Sequence, residues 1–525
     1  MAAPSPHPPT PSCPPDIASQ ERVHPMVQRP RRPLASLLLA ASALTFGLGA
    51  PTTTGITATP QPTPATPKPA RDVATAARPN VVIILVDDLD WADVSTYGRR
   101  DAPTPNIDRI AQSGVAFSDA YVAASVCAVS RAALLTGRMP QRFGFTYNIN
   151  DEGDKGAGLP VDQKTLADRL RPLGYRAAAF GKWHLGSDPQ FYPTRRGFDE
   201  FFGFLAGETN YVDPATPGIV TTPTKEDKYE IGPRTGNHAM VEGPDARPAD
   251  DFSRYLTNQI TDRAVDFITR ATADKNSPFF AYVAYNAPHW PLQVPQSYYD
   301  RFAHIEDPVR RTYVAMIAAM DDGVGQILDT LEKRGVRDNT MVLFLSDNGC
   351  PHRFGFCNPD HPFGAGKFTY LEGGVRVPFV FSWPAGLKTR GISASPVSSL
   401  DIAATVLRAA DPAHALPREL EGHDLVTTAR KPQPDRLLVW GQEPVYAARQ
   451  GDKKVWLSRD WNQSHLYDLK ADPAEEQDLS ARDPKNDKRL KGAIERYRTS
   501  LPAPLWKLHS TRKVTVNGRE TEMVY

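Results

Sequence analysis

The sequence predicts an α/β fold: a large mixed, mainly parallel sheet sandwiched by helices, plus a smaller C-terminal domain with a short antiparallel sheet and a helix. Three observations carry that prediction. Apolar runs at 81–86, 279–285 and 341–345 lack polar alternation, so they read as strands covered on both faces. Segments with helical apolar spacing lie between such runs, the alternation expected of a parallel sheet with helical crossovers. Beyond residue 430 the pattern changes to short strand-like runs with turns between them, closed by a charged amphipathic segment at 484–500.

A chain of 525 residues is long enough for two domains, one of them dominant. Its 61 basic and 60 acidic residues leave a net charge of +1, which argues against a nucleic-acid partner. Four cysteines in this length exclude a disulfide-built scaffold. Residues 1–50 read as a leader. They are Pro-rich to residue 25, then basic at Arg29, Arg31 and Arg32, then apolar over 34–50 with small residues at the end. This is the pattern of a secretory signal. Met26 is an alternative start that would give a signal of ordinary length, and the Arg31-Arg32 pair leaves both general and twin-arginine export open. The apolar segment is short for a membrane span and no cysteine follows it, so cleavage is expected, with no stable membrane anchor. The product is then exported, to a periplasm or the medium, by the export machinery. Residues 51–79, rich in Pro, Thr and Ala, read as a linker. The main domain is expected over 80–430 and the C-terminal subdomain with its tail over 431–525.

Along the main domain, the strand at 81–86 ends in Asp87 and Asp88. Two carboxylates at a buried strand end are costly unless they meet a cation, though Asp is also common in turns and helix caps. Thr104 as N-cap and Pro105 at the first helical position open a short helix that Gly114 stops. The stretch from Cys127 to Arg138 places Cys127 and Arg131 four apart, on one face if helical. It suits an oxyanion held against a nucleophile, or equally a buried cysteine beside a surface arginine. Leu166, Leu170 and Leu173 mark a helix ending at Gly174, and the strand at 175–180 leads into Lys182 and His184. Residues 205–250 read as a long insertion. A helix over 255–268 precedes the strand at 279–285, after which comes His289. Tyr313, Met316, Met320, Ile327, Leu328 and Leu331 mark a long amphipathic helix whose methionines belong to the core. The strand at 341–345 ends in Asp347 and Asn348; Lys367 and a last strand at 379–383 follow. Further on, 401–407 begins a helix, and the runs at 436–440, 445–448 and 454–457 suit a small antiparallel sheet.

The arrangement says more than any single motif. Four apolar runs end in Asp87 with Asp88, in Lys182 with His184, in His289, and in Asp347 with Asn348. In a mainly parallel sheet these ends gather on one edge, where ligands of such sheets bind.

On these residues the chain from about Pro79 to about Leu501 resembles the sulfatase family of the alkaline-phosphatase-like superfamily, most closely its arylsulfatase and N-acetylgalactosamine-6-sulfatase branch. Cys127 to Arg131 followed by Leu135 to Arg138 looks like the family's Cys-x-Pro-Ser-Arg and Leu-Thr-Gly-Arg, with Val129 where the family usually has Pro. The stretches at 181–186, 287–289, 346–349, 364–367 and 372–378, and Leu466 to Leu469 with Asp472, Pro473 and Glu475, also look like family motifs. The resemblance implies a sulfuric ester hydrolase. Its Cys127 would be oxidised to formylglycine by a formylglycine-generating maturation enzyme. One hydroxyl of the hydrated aldehyde would attack sulfur, and the other would later expel sulfate. It implies one calcium ion held by Asp87, Asp88, Asp347 and Asn348 beside residue 127, an oxygen donor set that suits a hard cation. Arg131 and Lys182 would hold the hydrated aldehyde; Lys182, His289 and Lys367 would hold sulfate oxygens. His289 or Lys367 would protonate the leaving alcohol, His184 would take the later proton, and Asp347 would activate the nucleophile. Valine at 129 keeps the extended preference that proline imposes on its neighbourhood.

Two further readings remain. One is a phosphonate or phosphate ester hydrolase of the same superfamily. The other is an unmodified, non-catalytic protein that binds sulfated glycans. The substrate is read as an organic sulfate ester, carbohydrate or aryl, with Trp183, Trp290, Phe354 and Phe363 as rings that could stack on it. Cys350 and Cys357 form either a small disulfide loop at the rim of the site or two free thiols.

Overall fold

The computed structural model describes residues 78–524 apart from 99–100, 151–153, 225–233, 250, 275–276 and 517–518. The leader, Cys13 and the linker up to residue 77 lie outside the described residues. A ten-stranded sheet organises the rest. Its centre is four parallel neighbours in the order Thr340–Ser346, Asn80–Val86, Phe279–Ala284 and Arg176–Lys182. Glu200–Phe204 continues the parallel set on one side. On the other side Phe379–Ser382 runs antiparallel to the set, and Val115–Phe117 pairs antiparallel with it in turn, which restores the central direction.

The unbroken apolar run of the first strand has a direct structural cause. Val82, Ile84 and Val86 face one core with the helices Leu256–Ala271 and Pro308–Lys333, while Val81, Ile83 and Leu85 face a second core with Cys127–Thr136 and Asp401–Ala410. Successive side chains point to opposite faces, so a strand covered on both sides must be apolar at every position. Each such side chain stabilises the fold by roughly 1.5–3 kcal/mol. Met316 and Met320 of the long helix are fully buried core residues, as their spacing implied.

Several local details depart from the sequence reading. Thr104 precedes the helix Pro105–Gln112, but its side chain does not cap it. Its hydroxyl accepts the Ser95 backbone N–H instead, and Asp321 takes the N–H groups of Asn106 and Ile107. The insertion at 205–250 contributes Ile219–Thr222, which pairs with Leu292–Pro295, and the edge strands Val241–Glu242 and Arg247–Pro248. The C-terminal sheet has four antiparallel strands, Leu438–Gln442, Val445–Gln450, Lys453–Ser458 and Gln463–Asp468, with the helix Pro484–Thr499 after it. The fourth strand carries the Leu466-Tyr467-Asp468 stretch that the sequence reading treated only as a motif. The tail forms a hairpin of Thr511–Val516 and Arg519–Val524, and the Val524 N–H donates to the Phe368 carbonyl at 3.0 Å.

Candidate active site

Because the four central strands are parallel neighbours, their C-terminal ends come out side by side. The Asp347 N–H donates to the Val86 carbonyl at 2.9 Å and the Asp87 N–H to the Ala287 carbonyl at 3.2 Å, which knits three of those ends together. Asp88 and His184 sit just past their strands with φ of 64° and 55°, a conformation that non-glycine residues seldom adopt. Such strain persists where the surroundings enforce it, and it clusters at functional sites.

Cys127 opens the helix Cys127–Thr136, which brings it to the same edge. Lys367 Nζ donates to Cys127 Sγ at 3.0 Å, and Sγ lies 3.5 Å from Asp87 Oδ1. The same ammonium is 2.7 Å from Asp88 Oδ1. Lys182 Nζ is 2.5 Å from Asp87 Oδ2. One turn past Cys127, the fully buried Arg131 contacts Asp347 Oδ2 at 2.8 Å and Asp87 Oδ2 at 3.5 Å, and donates to the Lys182 carbonyl at 2.9 Å. Asn348 Nδ2 donates to Asp88 Oδ1 at 2.6 Å, and His289 Nε2 is 3.6 Å from Asp88 Oδ2. His184 is buried, with Nε2 donating to the Ile149 carbonyl at 3.2 Å and Nδ1 lacking a hydrogen-bond partner. All ten residues singled out in the sequence therefore meet at this edge.

The electrostatics explain why a bare thiol is a poor nucleophile here. Burial, and then the Asp87 charge, push the Cys127 thiol up to about 12. A thiol that stays protonated at neutral pH is inert. Burial alone would raise Asp87, but Lys182, His289, Arg131 and Lys367 hold it well below the usual carboxylate range. Burial and the Asp87 charge push Asp347 up to about 7. Burial works against the Lys367 charge, yet Asp88 and Cys127 keep it far above its ordinary value. Burial and Lys182 drive His184 well below its ordinary value, so it is neutral.

The donor set fits a hard cation. Asp347 Oδ1 and Asn348 Oδ1 are buried without a hydrogen-bond partner; Arg131 bridges Asp347 to Asp87, and the Asn348 amide reaches Asp88. Ligand-capable atoms of Asp87, Asp88, Cys127 and His289 fall within 4.8 Å of one another. Leaving buried oxygens unsatisfied costs free energy that a divalent cation removes.

Supporting residues emerge that the sequence did not reveal. Asn148 Oδ1 accepts the Ala128 N–H at 3.0 Å at the start of the Cys127 helix. The Tyr211 hydroxyl lies 2.7 Å and 2.8 Å from the carbonyls of Asn286 and His289 and pins the His289 loop. The Tyr313 hydroxyl donates to the Asp88 carbonyl at 2.9 Å. Asn148 and Tyr211 are lone polar residues that no local signal marked, and Tyr313 showed in the sequence only as a position of the long helix. Two of the proposed stacking rings are withdrawn from the site. Trp183 is 1% exposed, and its indole N–H donates to the Phe191 carbonyl. Phe363 is buried against Trp91 and Arg376. Trp290 and Phe354 remain half-buried. Cys350 and Cys357 form a disulfide, and Cys127 is the free cysteine among the described residues.

Comparison with known proteins gives consistent similarities. The family model described as Sulfatase matches residues 79–412. N-acetylgalactosamine-6-sulfatase of Mus musculus is 35% identical over 368 residues, covering 68% of this chain and 67% of that protein. Arylsulfatase G of Mus musculus is 35% identical over 378 residues, covering 67% of this chain and 68% of the relative. The crystal structure of Ps i-CgsB in complex with k-i-k-neocarrahexaose superposes with a TM-score of 0.73 at 32% identity, over 82% of this chain and 94% of the other.

Proposed function

From the premise that this chain belongs to the sulfatase family and is a sulfuric ester hydrolase, we propose that it removes sulfate from a sulfated carbohydrate. In this reading Cys127 is matured to formylglycine beside one calcium ion, in an exported protein. The catalytic domain spans about 80–430, and 431–525 forms the C-terminal subdomain and tail. One observation carries the reading: Cys127 opens a helix at the edge where four parallel strands deliver their charged ends, and Lys367 touches its sulfur at 3.0 Å. The carbohydrate assignment is supported by relatives named for N-acetylgalactosamine-6-sulfate and by a similar structure bound to a neocarrahexaose. No helix among the described residues is long and apolar enough to cross a membrane.

When present, the hydrated aldehyde supplies two geminal hydroxyls, and a calcium ion on Asp87, Asp88, Asp347 and Asn348 supplies Lewis acidity toward a sulfate oxygen. The chain's own residues do the rest. Lys182 and Lys367 stay charged because their carboxylate neighbours outweigh burial, so they hold sulfate oxygens and stabilise the charge of the transition state. His289 completes that cradle, and Lys367 or His289 gives the leaving alcohol its proton. Arg131 has its guanidinium spent on Asp347 and Asp87, so it fixes the geometry of both carboxylates while bordering residue 127. Asp347, held by Arg131 at 2.8 Å, would accept the proton of the attacking hydroxyl. Neutral His184 offers a partnerless Nδ1 for the later proton.

The test is peptide mass spectrometry across Cys127 on protein made with its maturation enzyme, combined with turnover of an aryl sulfate and of 6-sulfated N-acetylgalactosamine oligosaccharides. Thiol-to-aldehyde mass loss with sulfate release supports the reading. An intact thiol in protein from its native host, with sulfated glycans bound but not cleaved, overturns it in favour of a binding protein.

A further inference from the structure

Two residues past the Asp87-Asp88 pair, Asp90 is fully buried. One of its oxygens is well satisfied: Oδ1 accepts the Ala92 N–H at 2.9 Å and pairs with His361 Nδ1 at 2.6 Å. Its other oxygen, Oδ2, is buried and has no hydrogen-bond partner. That oxygen faces His352, whose Nε2 stands 3.8 Å away. A carboxylate cannot donate, so the His361 proton sits on Nδ1 and the lone pair on Nε2. His361 Nε2 is itself buried without a partner, in a side chain only 3% exposed. Orphaned buried acceptors of this kind are rare in folded proteins, and each marks a missing electropositive partner.

We propose that Asp90, His352 and His361 form a second metal site, for a borderline divalent transition cation such as zinc, at the rim of the active site. Ligand-capable atoms of all three residues lie within 4.8 Å of one another. Two bonds of 2.0–2.1 Å at a tetrahedral angle separate their donor atoms by roughly 3.4 Å. The 3.8 Å between Asp90 Oδ2 and His352 Nε2 needs only a small adjustment to reach that spacing. Two imidazole nitrogens and one carboxylate oxygen suit zinc, cobalt or nickel and differ from the oxygen set of the neighbouring site.

The surroundings hold the three ligands in place. His352 lies inside the loop closed by the Cys350–Cys357 disulfide. The His361 N–H donates to the Asn358 carbonyl at 3.2 Å, and Asn358 Nδ2 is anchored on Asp93 at 3.0 Å. The His361 ring packs edge-on against Phe363 at 5.4 Å and lies 4.6 Å from the His352 ring. His352 itself is 36% exposed, which leaves one side of the site open to water or to a substrate oxygen. Three protein ligands with an open fourth position is the arrangement of an accessible zinc site rather than a closed structural one.

The test uses the untagged full-length protein, stripped with chelator, saturated with calcium to fill the oxygen site, and titrated with cobalt. The expected result is one equivalent of tightly bound cobalt with visible d–d absorption of a nitrogen-containing site, bleached when zinc displaces it. His352→Gln, at a partly exposed position that need not disturb folding, should weaken cobalt binding about tenfold or more, as should Asp90→Asn. The proposal is overturned if calcium-saturated protein takes up no cobalt, or if His352→Gln and Asp90→Asn bind it as tightly as the parent with the same spectrum.

Discussion

Lys367 Nζ stands 3.0 Å from Cys127 Sγ and, on its other side, 2.7 Å from Asp88 Oδ1. One ammonium thus links the residue to be matured to a carboxylate of the oxygen site. Lys367→Ala should leave maturation of Cys127 intact while lowering kcat by about 10²–10³, the usual loss for one donor to a developing oxyanion. Arginine cannot present a compact point charge there, so Lys367→Arg should not restore the rate. Steady-state kinetics on mass-verified, matured protein decides this; a variant within threefold of the parent removes Lys367 from the mechanism.

Arg131 is fully buried between Asp347 and Asp87, and that makes it structural as well as chemical. Removing one partner of a buried ion pair leaves an uncompensated charge and typically costs about 3–5 kcal/mol. Arg131→Met should therefore lower the unfolding free energy obtained from urea titration by an amount in that range, beyond any loss of turnover. An unchanged midpoint would mean that water or a cation already neutralises the two carboxylates.

The partnerless oxygens Asp347 Oδ1 and Asn348 Oδ1 give the metal reading a stability signature. Calcium at about 100 times its Kd should stabilise the folded chain by about 2.7 kcal/mol. Chelation should lower Tm, calcium should restore it, and Asn348→Ala should blunt the response. A Tm indifferent to chelator and calcium would count against a calcium site.

Behind the site, Lys454 is shared by two buried carboxylates, 2.9 Å from Glu372 and 3.0 Å from Glu475. Glu475 also accepts the Glu372 backbone N–H at 2.6 Å, which ties the C-terminal part to the loop carrying Lys367. Burial would raise Glu372, but Lys454, Arg376 and Arg449 hold it at about 2. Glu475 goes the other way: burial outweighs Lys454 and, with the Glu372 charge, takes it up to about 7. A carboxyl raised on folding contributes stability below its unfolded value near 4.5, and that contribution is lost as pH rises through 7. The loss is on the order of 3 kcal/mol. Glu475→Gln mimics the protonated form, so its stability relative to the parent should improve between pH 4.5 and 7 and level off above. Urea midpoints of both proteins at pH 5 and pH 8 test the sign.

How much of this was legible in the sequence follows from the length scale of each signal. The central strands and long helices were readable because burial on both faces demands an uninterrupted apolar run, and burial on one face a 3.6-residue period. The ten site residues were readable because each sits at the end of such a run or in a dense local motif. Tyr211, Tyr313 and Asn148 were not, since their contacts to the Asn286, Asp88 and Ala128 backbones join distant segments. Trp183 was placed in the binding surface because a ring beside Lys182 and His184 looks available. The strand actually turns it inward, where its indole N–H is satisfied by Phe191. The short edge strands of the 205–250 segment are two to four residues long, too brief to show a period.

Val129 is the third residue of the Cys127 helix and is fully buried. The first backbone bond into that helix is from Ser130 N–H to the Val126 carbonyl, at 3.0 Å. The N–H of residue 129 belongs to the first turn, which has no intrahelical partner to lose. Proline there sacrifices no ladder bond, whereas proline further along would cost about 3 kcal/mol. Before folding, proline would restrict Ala128 to the extended region and present Cys127 in a stiffer, more extended segment to the maturation enzyme. Val129→Pro should then raise the fraction of Cys127 converted to aldehyde during co-expression, with specific activity rising in proportion to that fraction and Tm nearly unchanged. If conversion stays the same while the fold is intact, valine at this position does not limit maturation. If activity per converted chain changes instead, residue 129 acts on the geometry of the site through the first turn of the Cys127 helix.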